Sequence, residues 1–299
     1  GEYPDNEKGQ KLYPRYEMFK ACVEVFERDG HSVPIYNDKN LSHSFDKGKE
    51  MVEDSKRLNF PMLAGSSLPV TWRLPDLELP YDCEIEEALM VGVGGSDAMD
   101  YHALEAMQCM IERRKGGETG VQAVQLIEGD SVWEAGEQGK YSKKLLESAL
   151  SRSDSPKGYT LDDGRTQDLL GTGQLPRLVE HPAAYFIEHA DGLPSTLLML
   201  NGAVGEYTFA AHLKDNPDPQ STQFFLPPTP PVTYSACLVA KIEEMIETGQ
   251  PPIPIERTLT VCGTLDHCLT SKEQGNQRIE TPDHRITYKA PMASQHATD

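Results

Sequence analysis

The chain has 299 residues, of which 38% are hydrophobic and 25% charged, and a formal net charge of −19. That length suits one large domain or two ordinary ones, with a composition normal for a soluble globular protein. The carboxylates are spread along the chain as a solvated acidic surface, which repels phosphate backbones and anionic lipid and argues against nucleic acid and membrane as partners.

No apolar run approaches the ~20 residues needed to span a bilayer. The start, GEYPDNEKGQKLYPR, shows no basic region followed by an apolar core, and it lacks an initiator Met. A processed or truncated chain in the cytoplasm is the expectation. Cys22, Cys83, Cys109, Cys237, Cys262 and Cys268 form no C-x-x-C pair. They read as buried free thiols in a reducing compartment, with Cys22 and Cys109 on apolar helix faces.

The segment to Pro14 is polar and irregular. Pro14 is placed to open a helix at its first position. Met18, Phe19, Cys22, Val23, Val25 and Phe26 then recur near a 3.6 period until Asp29-Gly30 stops it. A short strand is expected at 33–36, a helix from a Ser44 cap to Leu58, and a strand at 61–64. Short connections between these imply parallel strands with a right-handed crossover. Prolines 69, 75 and 80 break up 68–84. Residues 85–93 read as a strand, 100–114 as an amphipathic helix and 121–127 as a strand. Residues 130–136 and 143–150 read as helices, and 151–180 as loop. Strands are expected at 183–189, 195–201, 206–213 and around 224–226. A Pro-rich linker at 227–232 leads to helices at 234–248 and 256–270, and the last residues read as frayed. The pattern describes a small α/β part followed by an α+β part with consecutive strands.

Several residues stand out as candidates for chemistry. Residues 90–103, MVGVGGSDAMDYHA, run from a strand through Gly92-x-Gly94-Gly95 into a helix. A dinucleotide turn would need glycine at position 97, which is Asp97, so a tight turn is the better reading. His102 lies in the first turn of the following helix beside Asp97 and Asp100. A helix N-terminus favours the neutral imidazole, which near a carboxylate can act as a general base; a capping or packing histidine is the alternative. Lys39 follows a strand end, where open α/β sheets place ligands; a solvated lysine like Lys47, Lys49 and Lys56 is the alternative. Trp72 and Trp133 read as core or interface residues; the alternative for Trp72-Arg73, at the junction of the two parts, is to line a cleft. His43, His181, His189, His212, His267 and His284 show no metal-ligand spacing, so no metal is expected. No G-x-S-x-G elbow or P-loop is present.

Taken together, these segments resemble the Gfo/Idh/MocA (glucose-fructose oxidoreductase and inositol dehydrogenase-like) family. The strand VPIY ends in Asp38-Lys39-Asn40 where the family has Glu-Lys-Pro. The helix DKGKEMVEDSKRL and the strand PMLAGSS follow in the expected order. VGVGGSDAMDYHALEAMQCM is similar to the family's Gly-Gly…Asp-x-x-x-His helix start, with His102 at the histidine and Ala98 where the acid would be. ERTLTVCGTLDHCLTS resembles its late helix, with Cys262-Gly263 where Ser-Gly is common.

The resemblance implies a fold of α/β plus α+β class: a partial Rossmann domain (a βαβ half) over 1–66, then an open-faced mixed or antiparallel sheet domain with helices on one face over 67–290, and a disordered tail over 291–299. It implies an oxidoreductase that uses NAD or NADP on the hydroxyl or keto group of a sugar, inositol or related polyol. The first Rossmann half, with its G-x-G-x-x-G turn, is expected to be missing. Lys39 and His102 take the catalytic positions. Asp38, Lys39, Trp72 and Arg73 are expected near the cofactor, and Lys39, Asp97, Asp100 and His102 at the substrate. Self-association through the sheet domain is a further expectation. A non-catalytic carbohydrate-binding or assembly module derived from the same family is the alternative.

Overall fold

The computed structural model describes residues 3–157, 168–227 and 233–298. Helix α1 (Arg15–Asp29) follows Pro14 and stops at Gly30, whose φ of 66° is left-handed. Its buried line is Phe19 and Val23. Cys22 lies about 100° round the helix from Val23 and is exposed, contrary to the expected interior placement. Cys109, Cys262 and Cys268 are buried, Cys83 and Cys237 are half-buried, and all six are free thiols. Strand β1 (Ile35–Asp38) pairs in parallel with β2 (Met62–Gly65), Ile35 opposite Met62 and Asp38 opposite Gly65. Helix α2 (Phe45–Arg57) crosses between them, capped as expected by the Ser44 hydroxyl, which accepts the Lys47 N–H.

The second sheet has eight strands in the order β10-β5-β6-β7-β4-β8-β9-β3. They are β3 (Trp72–Leu74), β4 (Ile85–Gly92), β5 (Val121–Glu128), β6 (Ala183–His189), β7 (Pro194–Met199), β8 (Tyr207–Leu213), β9 (Gln220–Phe225) and β10 (Ile279–Glu280). Only the β4–β7 pair is parallel among these. The sheet is therefore mixed, as the run of consecutive strands implied. The sequence reading left β3 among the proline-broken residues and did not include β10. Both are short strands at the sheet's two edges, where a few residues suffice.

The larger sheet is covered on both faces. Ala88 and Met90 of β4 pack against α3 (Asp97–Ile111), in the core that also holds α8 (Ile255–Glu273), while Leu89 and Val91 point the other way. There they meet Val132 of α4 (Ser131–Glu137), Leu145 and Leu146 of α5 (Lys143–Leu150), and Leu175 of α6 (Leu175–Leu178). The face expected to stand open is occupied by the chain's own helices. The unbroken apolar run Ala88-Leu89-Met90-Val91 is the local sign of this, because a strand buried on both faces does not alternate. Helix α7 (Thr233–Thr248) sits apart, with Met245 buried beside Leu63, Val70 and Ile253. Most of the Pro-rich linker, 228–232, and residues 158–167 lie outside the described residues.

Residues near the C-terminus, read from sequence as a loose tail, are tied down as far as they are described. The His296 ring is buried between Asp76 (2.6 Å) and Glu78 (3.0 Å), Arg113 Nη1 donates to the Pro291 carbonyl at 3.0 Å, and the Ala297 N–H donates to the Val70 carbonyl at 3.0 Å. The anchors are polar, so no apolar period announced them.

Two buried polar arrangements bear on stability. Arg257 of α8 holds Glu112 at the end of α3 through both carboxylate oxygens, with Nε at 2.8 Å, and Tyr288 adds its hydroxyl at 2.8 Å. Removing one partner strands a charge in the core. Arg257→Ala is expected to lower the unfolding free energy by about 3–5 kcal/mol; a urea midpoint close to wild type would contradict it. His284 is buried against the rings of Phe45 (4.8 Å) and His267 (5.6 Å), and both of its ring nitrogens lack a hydrogen-bond partner among the described residues. Gly263 makes the room, since a Cβ there would stand 2.8 Å from the Phe45 ring. Burial, aided by His267, depresses the His284 pKa to about 3. Its contribution is complete above the unfolded value of about 6.5 and falls away as the pH drops toward 3. His284→Gln should therefore flatten the change in unfolding free energy between pH 7 and 5 by about 2 kcal/mol relative to wild type. Parallel pH slopes for the two proteins would contradict this.

Candidate active site

The turn that carries Lys39 is built by its neighbours. Asn37 Nδ2 donates to the Asn40 carbonyl at 2.7 Å, and Arg15 Nε donates to the Asp38 carbonyl at 3.1 Å. The Lys39 N–H reaches the Gly65 carbonyl at 3.1 Å, which also accepts the Tyr36 hydroxyl at 2.9 Å. These bonds hold Lys39 at φ 66°, a left-handed conformation that costs a non-glycine residue about 1–2 kcal/mol. The side chain is half-buried at the cleft, with Nζ 2.7 Å from Asp38 Oδ2. Such a solvent-accessible pair adds little stability, so the strained turn is maintained by its backbone bonds.

The opposite wall is α3. Gly92 at the end of β4 lets the helix close on the strand: a Cβ there would fall 2.8 Å from both Ala103 Cβ and Met199 Sδ. Gly94, at φ 144°, has no room for a side chain under Met99, and Asn201 clamps it by accepting its N–H and donating to its carbonyl. The glycines thus serve the tight turn that their spacing suggested. They deliver Met99 and His102, one turn apart, to a cleft of about 330 Å³ that also exposes Asp38, Lys39, Ser66, Ser67 and Tyr207, with Leu226, Tyr234 and Leu238 on its far side. Tyr207 is held by donating to the Val93 carbonyl at 2.9 Å.

His102 is neutral. Burial is the main cause, the nearby Lys39 charge adds to it, and together they lower the pKa to about 4 against a weaker opposing pull from Asp38. Its Nδ1 is buried with no hydrogen-bond partner among the described residues. A buried ring nitrogen without a partner is an unsatisfied polar group of the kind that folded proteins rarely keep without a reason.

Of the residues singled out from sequence, Asp38, Lys39 and His102 come together here. Asp97 and Asp100 do not join them. At about 100° per residue they stand about 140° and 160° round the helix from His102. Asp97 instead lines a small second depression with Tyr13, Arg15 and Lys39, and burial raises its pKa. Asp100 accepts the Tyr185 hydroxyl at 2.6 Å, and burial pushes its pKa up to about 6. Trp72 and Arg73 lie on β3, opposite Phe225 and Phe224 of β9. The buried Arg73 guanidinium donates to the Leu77 carbonyl at 2.9 Å and pairs with Glu78 at 3.2 Å. Ser66, Tyr207 and the α7 residues were not anticipated. Nor was Glu105, although an acid in the apolar stretch LEAMQCMI signals a buried group that needs partners.

No family model matches the chain, and no curated protein matches it by sequence. Solved structures do. GenD2 from gentamicin A biosynthesis, solved in complex with NAD, superposes with a TM-score of 0.55 at 11% identity, over 90% of this chain and 76% of that chain. Myo-inositol 2-dehydrogenase from Lactobacillus plantarum gives 0.51 at 10% identity, over 90% and 78%. A protein from Desulfitobacterium hafniense assigned as an NADPH-dependent oxidoreductase gives 0.51 at 14% identity, again over 90% and 78%. The fold is that of the Gfo/Idh/MocA-type oxidoreductases. In this version of the Gfo/Idh/MocA-type fold, the lysine turn and the α3 histidine face one cleft between the two sheets.

The electrostatics of that cleft can be tested directly. In an NMR pH titration His102 should remain neutral until the pH approaches 4. Lys39→Met should shift the titration upward by removing a positive neighbour. A midpoint near 6.5 in wild type would show that the ring is solvated instead.

Proposed function

We propose that this chain carries the substrate site of an NAD(P)-dependent oxidoreductase acting on the hydroxyl or keto group of a sugar, inositol or related polyol. The observation that supports this most is the meeting of Lys39 and His102 at one cleft, from elements 63 residues apart in sequence. The cleft volume lies at the lower end of the range for small-ligand sites, enough for one sugar-sized group. Its lining mixes polar residues (Asp38, Lys39, Ser66, His102) with apolar ones (Leu68, Met99, Leu226, Leu238), which suits a ring that carries hydroxyls.

A nicotinamide, when bound, would supply the hydride acceptor or donor. The residues present fit that reacting end: Asp38, Lys39 and His102 border the cleft, a cation and a neutral imidazole beside one opening. The sequence contains no G-x-G-x-x-G turn for a pyrophosphate. Lys39 would donate a hydrogen bond from Nζ to the substrate oxygen and stabilise negative charge as the hydroxyl proton leaves. Asp38 keeps the ammonium directed along the strand end. His102, neutral at pH 7, can accept that proton. A ring with a pKa of about 4 in the empty cleft holds it only briefly, so it acts as a relay.

Titration of the chain with NADH and with NADPH, followed by cofactor fluorescence, is the first test, and turnover of sugars and polyols the second. Saturable binding and turnover are expected, with Lys39→Ala lowering kcat by about 10²–10⁴-fold. Wild-type turnover in Lys39→Ala would remove the lysine from the mechanism. Sugar binding with no nicotinamide dependence would favour the non-catalytic alternative.

A further inference from the structure

Beneath the cleft lies a carboxyl group that the mechanism above does not use. Glu105 projects from α3, one turn beyond His102, and is fully buried. Its Oε2 accepts the Ser66 backbone N–H at 2.8 Å and the Ser66 hydroxyl at 2.5 Å, and its Oε1 accepts the Tyr101 hydroxyl at 3.2 Å. Gly65 has no side chain at the point where Glu105 Oε1 sits, and a Cβ there would overlap it. Ser66 in turn lines the cleft with Lys39 and His102. The contact thus leads from the cleft wall through one hydroxyl to a buried carboxyl.

The groups around Glu105 are Tyr36 of β1, Ser66 after β2, Tyr101 of α3, and Arg257, Thr258 and Cys262 of α8. Arg257 is already bound to Glu112. Burial is the largest influence and raises the Glu105 pKa to about 7, while the Ser66 hydrogen bonds pull it down. Such a group exchanges its proton near neutrality, which a histidine at about 4 does not.

We propose that Glu105 and Ser66 form a proton-holding pair under the cleft, with Ser66 Oγ passing the proton of the substrate hydroxyl to the Glu105 carboxylate. This rests on the dehydrogenase reading. In the oxidation direction the O–H bond of the alcohol breaks and its proton, instead of resting on His102, goes to Ser66 Oγ, as the proton already on Ser66 moves to Glu105 Oε2. A nicotinamide, when bound, would take the carbon-bound hydrogen with its electron pair, and a C=O bond would form. Reduction reverses each transfer.

The pair also matches each form of the substrate. With Glu105 ionised, the Ser66 hydroxyl donates inward and offers lone pairs to an alcohol O–H. With Glu105 protonated, the acid donates to Ser66, whose hydrogen is then free for a carbonyl oxygen. Glu105 itself acts through Ser66 and touches no substrate, so its role is a positioning one.

Infrared difference titration of the full chain reads the pair without turnover. A carboxylic acid band should appear as the pH falls through about 7 and be lost in Glu105→Gln. It should titrate at higher pH in Ser66→Ala, which keeps the carboxyl but removes a bond favouring its ionised form. In turnover, the wild-type pH dependence between about 6 and 8 should disappear in Glu105→Gln and Ser66→Ala, with the NAD(P)H dissociation constant unchanged. If Glu105→Gln does not fold, Ser66→Ala carries both readings. No band titrating between about pH 5 and 9, or a band unmoved in Ser66→Ala, overturns the proposal. So do pH–rate profiles that match wild type in a chain that binds nucleotide and turns over, and in that case the relay fails while the dehydrogenase reading stands. A chain that binds neither NADH nor NADPH defeats that reading, and the relay with it.

Discussion

The carboxyl of Glu105 occupies the place where a side chain at Gly65 would be, and this overlap governs how closely α3 approaches the end of β2. Everything at the cleft is registered from it. Ser66 is held by the same carboxyl, the Gly65 carbonyl holds the Lys39 N–H, and His102 is one turn back along the helix. At its other end α3 is secured to α8 through Glu112 and Arg257, and along its length it rests on Gly92 of β4. One helix therefore connects the small parallel sheet to the large mixed one, and the cleft lies along that seam.

Desolvation sets the chemistry of this seam. It lowers His102 and His284, raises Asp100 and Glu105, and in each case favours the neutral form. The charged groups stay where water reaches them, as with Lys39 and Asp38, or where a partner is bound tightly, as with Arg257 and Glu112. A site that develops charge during reaction gains from this arrangement.

The large sheet departs from the open-faced form that the sequence resemblance led one to expect. Helices α4, α5 and α6 cover its second face with Val132, Leu145, Leu146 and Leu175. The sequence carried the signal in two places. The apolar run of β4 lacks alternation, and KKLLESAL has a stripe that must be buried somewhere. Neither says which sheet face receives the helix, because that depends on the crossover path of a long connection.

Local pattern was enough for most elements. The βαβ unit, the glycine stop of α1, the Ser44 cap and β6 follow from periodicity and cap chemistry, which act over a few residues. The lysine turn and the histidine helix were also legible, since a strand end and a helix start mark their positions. What periodicity cannot carry is direction round a helix relative to a distant partner. Asp97 and Asp100 are close to His102 in sequence but stand across the helix from it, whereas Glu105, three residues on, reaches β2. The polar anchoring of residues 291–298 and the joining of Lys39 to His102 likewise needed the folded chain. The sequence by itself determined which segments become helix and strand and which face of each is apolar. Only the tertiary structure decided which polar groups lose water together, and that desolvation is what separates a candidate catalytic group from an ordinary surface charge.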